Sequence, residues 1–386
     1  MGALDAEDTR VMIESLQRIG MKVEREDSTI LMKGMGGQIP VEGTDLFLAN
    51  SGTSIRFLTA LVSLGKGSFR LDGVERMRQR PQNDLLIALN TLGGDAISEL
   101  ANGCPPIVVQ GTGSLAGGKV RLRANASSQF LTALLMIAPY TRQGIEIEID
   151  GELRPLYVEI TRSMMLQWGV PSENENGQRF RIQPNQKYQA QTHYHIEPDA
   201  SSASYFFAAA AITGGTVTVA GLSKKALQGD ILFATDVLAE MGCTVEECSE
   251  GVTVTGPPPG RLRGVDRDMS AISDTSLTLA AIAPFANSAT TVRNIAHARL
   301  QECDRVSAVC TELNRLGVSV EERPDGFTIQ PCDNIQPATI QTYHDHRMAM
   351  SFALIGLKVP GITISDPGCV AKTFPAYWET LKQLTS

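Results

Sequence analysis

Short polar clusters open several apolar stretches of this chain: Asn50-Ser51-Gly52-Thr53, Ser127-Ser128-Gln129, Ser201-Ser202, Ser273-Asp274-Thr275 and Asp345-His346-Arg347. A second set stands before other helical runs: Arg80 ahead of Pro81, Lys224, Glu302 with Asp304 and Arg305, and Lys372. Ser, Thr, Asp and Asn at such positions cap a helix by lending an oxygen to an orphan backbone N–H. Capping leaves Arg80, Arg305, Arg347 and Lys372 unexplained, because a cation at the positive end of a helix costs about 0.3–1 kcal/mol. Basic side chains kept there imply an anion taken up by N–H groups and cations together. The pattern predicts a doubly anionic small substrate held between two lobes.

Competing motifs are weaker. Gly111-Thr112-Gly113-Ser114-Leu115-Ala116 fits GxGxxA after a strand, but the strand-like run Lys119–Arg123 follows it, so a hairpin turn is expected there. His193 with His195, and His344 with His346, lack a third ligand at telling spacing and read as strand-face or network histidines. GxSxG and Walker A motifs are absent.

The elements that carry these groups repeat. Gly20, Gly93, Gly169, Gly242 and Gly317 each follow a Leu-rich helix ending and recur about 75 residues apart. After each glycine come short alternating segments, then a Ser/Thr/Asp-led helix: 53–64, 128–138, 202–212, 275–286 and 346–357. A β-rich strand follows (145–149, 216–219, 290–295), and a second helix runs to the next glycine; a last helix covers 375–384. The unit reads as βαβα plus a hairpin, a small α/β module rather than a solenoid repeat. The best boundary falls near Ile196–Glu197, giving lobes 1–196 and 197–386.

Composition bounds the rest. The chain has 386 residues, 34 Lys+Arg against 42 Asp+Glu, and a net charge of −8. That balance argues against a general nucleic-acid or anionic-membrane binder and leaves room for a local cationic site. No stretch is apolar enough to span a bilayer. Seven scattered cysteines, odd in number and never CxxC, predict a reduced, cytoplasmic protein without a disulfide framework or zinc cage.

At its polar clusters the sequence resembles the 5-enolpyruvylshikimate-3-phosphate (EPSP) synthase family. The matching motifs are Leu48-Ala49-Asn50-Ser51-Gly52-Thr53, Gln79-Arg80-Pro81, Ser127-Ser128-Gln129-Phe130-Leu131, Asp199-Ala200-Ser201-Ser202-Ala203-Ser204-Tyr205, Gln301-Glu302-Cys303-Asp304-Arg305, Asp345-His346-Arg347-Met348-Ala349-Met350 and Ala371-Lys372-Thr373. They stand in family order from end to end. The resemblance implies an α/β fold, a two-lobed inside-out α/β barrel built from repeated βαβαββ-type units, with the first unit truncated. It also implies transfer of the enolpyruvyl group of phosphoenolpyruvate to the 5-hydroxyl of shikimate 3-phosphate, with release of phosphate and no metal or organic cofactor. Ser127, Ser128, Gln129 and Tyr157 of the N-terminal lobe would hold shikimate 3-phosphate. Arg80, Arg305, Arg347 and Lys372 would hold phosphoenolpyruvate, with Asn50 and Gly52 beside it; Thr53, Gln301 and His346 complete the implied substrate-binding set. Asp274 would be the base for the attacking hydroxyl, and Glu302 would handle the proton at the enol methylene. Glyphosate binds the phosphoenolpyruvate site in the family. The similar UDP-N-acetylglucosamine enolpyruvyl transferases carry a reactive cysteine in a loop where 73–81 here has none.

Four departures accompany the resemblance. Gln301 stands where many relatives carry lysine, His297 replaces a common asparagine, and the run 152–157 lacks a serine, with Arg154 nearest its place. In complete units the first helix opens 40 to 42 residues before the closing glycine, which for Gly20 would fall about twenty residues before Met1. The expected missing segment carries a Lys-Ser-x-Ser-x-Arg motif in the family. Two alternatives follow: a working transferase, completed by a separate N-terminal peptide or adapted to do without it, and a non-catalytic fragment.

Overall fold

The computed structural model describes residues 1–123, 127–151, 153 and 155–384. Glu152 and Arg154, part of the run singled out above, lie outside the described residues. The chain divides into two compact units, Met1–Ile196 and Glu197–Ser386.

Unit 1 opens with α1 (Glu7–Arg18) and the hairpin β1 (Val23–Glu26) and β2 (Thr29–Met32). Two four-stranded modules follow. The first runs β3 (Thr44–Phe47), α2 (Gly52–Val62), β4 (Lys66–Asp72), α3 (Asn83–Thr91), β5 (Ala96–Ser98) and β6 (Ile107–Thr112). The second runs β7 (Gly118–Arg123), α4 (Ser128–Ile137), β8 (Ile145–Asp150), α5 (Pro155–Gln167), β9 (Glu173–Glu175) and β10 (Arg179–Ile182). Both sheets have one topology: a parallel pair, β3 with β4 and β7 with β8, extended by an antiparallel hairpin, giving orders β3-β4-β6-β5 and β7-β8-β10-β9. Parallel neighbours need a helical crossover, and α2 and α4 supply it. Both crossover helices are buried on nearly every face, through Ile55, Leu58 and Val62 in α2 and Phe130, Leu131, Leu134 and Leu135 in α4.

Residues 111–116 differ from the expected hairpin turn. β6 pairs with β4 and β5, whereas β7 pairs with β8, so 113–117 carries the chain from one sheet to the next. Strand-like runs adjacent in sequence need not pair when each has a partner closer to its own module. Opposed charges fix the register of β7: Lys119 faces Glu146 at 3.1 Å, with Arg121 against Glu148 and Arg123 against Asp150 farther along. Each exposed pair contributes about 0.2–1 kcal/mol. The row sets the strand that leads into α4.

Unit 2 repeats the plan. α6 (Ala200–Thr213) precedes the sheet β11-β13-β12, made of β11 (Thr216–Ala220), β12 (Thr244–Glu247) and β13 (Gly251–Thr255). The sheet β14-β15-β17-β16 comprises β14 (Asp266–Asp268), β15 (Thr290–Arg293), β16 (Val320–Arg323) and β17 (Gly326–Ile329), with α7 (Ser276–Ile282) and α8 (Arg305–Arg315) between its strands. β18 (Thr339–Ile340) and β19 (Thr363–Ile364) pair in parallel across α9 (His346–Ala353), and α10 (Tyr377–Gln383) is the last helix described. The helix before Gly242 is of the π type over Phe233–Leu238.

The five repeat glycines share one geometry. Each has a φ between 80° and 105°, in the left-handed region that only glycine adopts freely. The residue after each glycine donates to the carbonyl five positions back: Met21 to Leu16, Gly94 to Leu89, Val170 to Met165, Cys243 to Leu238 and Val318 to Leu313. This is the Schellman closure, which satisfies orphan carbonyls and turns the chain into the next segment.

Candidate functional site

In unit 1 the polar clusters meet around the N-termini of α2 and α4, which pack together. Ser51 caps α2 by accepting from the Ser54 N–H, and Ser127 caps α4 by accepting from the Gln129 N–H. Gln129 links the two helices: its amide donates to Thr53 Oγ1 at 2.9 Å and its Oε1 accepts from Arg56 Nη1 at 2.5 Å. Arg80 Nη1 donates to the backbone oxygen of Asn50 at 2.9 Å and to its Oδ1 at 3.2 Å. Its guanidinium lies flush against Gly52, where an added Cβ would come within 2.8 Å of Arg80 Cζ. Ser128 is the first residue of α4, and Tyr157 lies in the first turn of α5, which packs on α4.

Arg56 was not singled out from sequence. It is 5 % exposed, and its guanidinium centre lies 5.4 Å from the Phe130 ring centroid. The signal was available: one arginine inside the apolar run Ile55-Arg56-Phe57-Leu58. Lys224, by contrast, is exposed on a turn and donates to the Val245 carbonyl.

In unit 2 the structure brings Asp274, Gln301, Glu302, Arg305, His346, Arg347 and Lys372 into one cluster. Asp274 sits on a 3₁₀ turn (Ser270–Thr275) ahead of α7; Arg305 is the first residue of α8, and His346 and Arg347 open α9. Lys372 ends a 3₁₀ turn over Pro367–Lys372. Arg305, 1 % exposed, is the hub. Its Nε and Nη2 fork onto Asp345 at 2.7 and 3.3 Å, Nη1 reaches Asp274 at 3.1 Å and Gln301 Oε1 at 2.5 Å, and Nη2 also meets Glu302 at 3.0 Å. Arg347 Nη2 donates to the other Asp274 oxygen at 2.8 Å and to Ser201 Oγ at 3.3 Å, while Nη1 meets the Tyr205 hydroxyl. Lys372 Nζ lies 3.4 Å from Glu302. Asp345, wholly buried, also caps α9 by accepting from the Arg347 N–H.

Three carboxylates thus face three cations. Burial works to raise the Asp274 carboxyl, but Arg347 and Arg305 hold it below the ordinary carboxylate range. Arg305 and Arg347 are both raised: burial alone would lower them, and the surrounding carboxylates prevail. Burial pushes the Tyr205 hydroxyl up to about 12. His346 goes the other way. Burial, then Lys372 and Arg347, hold it well below its usual value, and neither ring nitrogen has a hydrogen-bond partner. Nδ1 comes within 3.4 Å of Asp345 Oδ1 without hydrogen-bonding geometry.

That neutral imidazole makes stability pH-dependent with a definite sign. Unfolded His346 protonates below about 6.5 and folded His346 does not, so the unfolded state binds more protons and stability falls as pH drops below that value. The expected slope is about 1.4 kcal/mol per pH unit between the two values. Asp274 adds a similar loss only below its ordinary value of 3.8. Melting curves between pH 7.5 and 5 should show the decline, and His346→Gln should flatten it; equal slopes in both proteins would refute the assignment.

Among the described residues no group of three or more His, Cys, Asp or Glu is placed to hold a metal ion, and no helix is long and apolar enough to cross a membrane. The arrangement suits an anion. Guanidinium groups at the starts of α8 and α9, with the Lys372 ammonium at the end of its 3₁₀ turn rather than at the expected helix start, would bind it, and carboxylates interleaved with them would move protons.

Comparison with known proteins points the same way. Residues 1–381 match the family described as EPSP synthase (3-phosphoshikimate 1-carboxyvinyltransferase). A 3-phosphoshikimate 1-carboxyvinyltransferase from Nostoc punctiforme is 50% identical over 99% of this chain and 89% of its own length. The chloroplastic relative of the same name from Arabidopsis thaliana is 44% identical over 99% of this chain and 76% of its own. An EPSP synthase structure from Acinetobacter baumannii superposes with a TM-score of 0.79 at 24% identity, covering 98% of this chain and 88% of that one, which shows a shared fold. Matches running over nearly the whole chain lend no support to a separate N-terminal peptide.

Proposed function

This chain belongs to the EPSP synthase family, and we propose that it transfers the enolpyruvyl group of phosphoenolpyruvate to the 5-hydroxyl of shikimate 3-phosphate, releasing phosphate. The observation that carries the reading is Asp274 held between Arg305 and Arg347, with Glu302 shared by Arg305 and Lys372. Ser127, Ser128, Gln129 and Tyr157 take shikimate 3-phosphate. Arg305, Arg347 and Lys372 take phosphoenolpyruvate, and Arg80 is a further phosphoenolpyruvate ligand. A cytoplasmic setting belongs to the same reading.

The chemistry follows from competition for cations. Before substrate binds, the guanidinium groups are occupied by the protein's own carboxylates. An incoming carboxylate and phosphate draw on Arg347, Arg305 and Lys372, and each cation drawn away leaves Asp274 or Glu302 more basic. Asp274 then accepts the hydroxyl proton as the oxygen bonds to C2 of phosphoenolpyruvate, and Glu302 delivers a proton to C3. In the second step the C2–O bond to phosphate breaks, the departing phosphate takes up the proton held by Asp274, and C3 returns its proton to Glu302 as the C2–C3 double bond re-forms. General acid–base help of this kind contributes about 10²–10⁴-fold per transfer. Phosphate release by the purified chain should require both substrates; release with neither order of addition, together with no binding of shikimate 3-phosphate, would leave the non-catalytic alternative.

Gly52→Ala tests the cradle around Arg80. The backbone at Gly52 is helical and accepts alanine, so the fold should survive, with a lowered melting temperature because Arg80 and Arg56 are buried and hydrogen-bonded. The new methyl must displace the Arg80 and Arg56 guanidinium groups from where they lie. Loss of a charged hydrogen bond costs about 1.5–3 kcal/mol, so the KM for phosphoenolpyruvate should rise about ten- to a hundredfold. An unchanged KM would remove Arg80 from the site.

A further inference from the structure

Glu312 lies two turns into α8, fully buried and outside the cluster that meets substrate in the proposed reaction. Its Oε2 accepts from the Gln341 N–H at 3.0 Å and lies 3.0 Å from Arg315 Nε; its Oε1 accepts from the Tyr343 hydroxyl at 2.7 Å. A buried carboxylate with three donors is a firm anchor, since charge-assisted hydrogen bonds are shorter and stronger than neutral ones. What it anchors is unusual. Tyr343 and His344 are consecutive non-glycine residues at φ 54° and 55°, a left-handed turn that bulky side chains rarely adopt.

Such a conformation persists only where its surroundings over-determine it. Here Glu312 holds the tyrosine, Asp366 meets His344 Nδ1 at 3.1 Å, and the Asp345 N–H donates to the Thr342 carbonyl. The very next residue is Asp345, which forks onto Arg305 and caps α9, and two residues later comes Arg347 on Asp274. The turn therefore decides where α9 starts and where its first side chains point.

We propose that the Glu312–Tyr343 hydrogen bond is a positioning device that fixes the left-handed turn and so aims Asp345 at Arg305 and Arg347 at Asp274. Its catalytic consequence rests on the reading of Arg347 as a phosphoenolpyruvate ligand. Tyr343 and Glu312 are positioning residues that act through the turn.

Tyr343→Phe removes the hydroxyl and keeps the ring, so the fold survives. A small displacement at a bidentate anion site is expressed in binding, and the KM for phosphoenolpyruvate should rise about three- to tenfold. The KM for shikimate 3-phosphate and the melting temperature should change little. Glu312→Gln keeps an acceptor for the hydroxyl and should retain more of the parent KM than Glu312→Ala. Parent KM values in Tyr343→Phe, or equal losses for both substrates that track a lowered melting temperature, would overturn the inference. Arg347→Lys run alongside separates the two readings. If it leaves the KM for phosphoenolpyruvate untouched, the ligand assignment fails. The Nε–H resonances of Arg305 and Arg347 in ligand-free protein then decide the positioning alone: displaced in Tyr343→Phe they support it, and unmoved they refute it.

Discussion

Asp274→Asn is expected to lower kcat by about 10²–10⁴-fold while leaving phosphoenolpyruvate binding intact or tighter. The asparagine keeps the shape and hydrogen-bonding reach of the side chain but cannot accept the hydroxyl proton. Binding should not suffer, because in the free protein the Asp274 carboxylate competes with substrate for Arg305 and Arg347, at 3.1 and 2.8 Å. Removing its charge frees both guanidinium groups for an incoming anion. The arginines keep other partners, Asp345 and Glu302 for Arg305, Tyr205 and Ser201 for Arg347, so the cluster stays assembled. Asp274→Ala should show the same split between kcat and affinity. Pre-steady-state mixing with both substrates, with equilibrium binding of phosphoenolpyruvate to each variant, reads the two quantities separately. A variant that turns over at the parent rate removes Asp274 from the base role, and one that loses affinity and rate together makes it a ligand support.

The repeat was legible because its punctuation is chemical. A helix that must end in a left-handed residue calls for glycine, and five of them at near-equal spacing reported a repeated α/β module before any strand was paired. The cationic cluster was legible for a related reason: Arg305 and Arg347 stand in the first turns of α8 and α9 against the helix-dipole preference, and in the structure buried carboxylates neutralise them; Lys372, expected at a helix start, instead ends a 3₁₀ turn, where a cation is favoured. Pairing was less legible. The segment 111–116 looked like a hairpin because two strand-like runs flank it, yet β7 finds its partner β8 on the far side of α4. Long-range pairing is decided by which faces can be buried together, information that a local window does not hold. Asp345 read as a cap alone, since its second role as the buried counter-ion of Arg305 depends on a residue 40 positions away. Glu312 carried no signal at all. An acidic residue on an amphipathic helix is ordinarily exposed, and only the fold shows it to be buried.

Arg305→Met should destabilise unit 2 by about 3–5 kcal/mol, the largest effect on folding expected of any substitution in the site. The guanidinium supplies hydrogen bonds to Asp345, Asp274 and Glu302, of which Asp345 is wholly buried and the Glu302 side chain only 10 % exposed. Deleting it strands the buried Asp345 charge and leaves Asp274 to Arg347 and Glu302 to Lys372, and an uncompensated buried charge is among the costliest single defects. The chain reports on its own units: Trp168 lies in unit 1 and Trp378 in unit 2. In a Trp168→Phe background, urea unfolding followed by tryptophan fluorescence therefore follows unit 2. Asp345→Leu in the same chain removes the stranded charge and should recover part of the loss, giving a coupling between the two positions of up to about 3 kcal/mol in a double-mutant cycle. Additive losses in the cycle would mean that Arg305 stabilises by packing its stem rather than by neutralising Asp345.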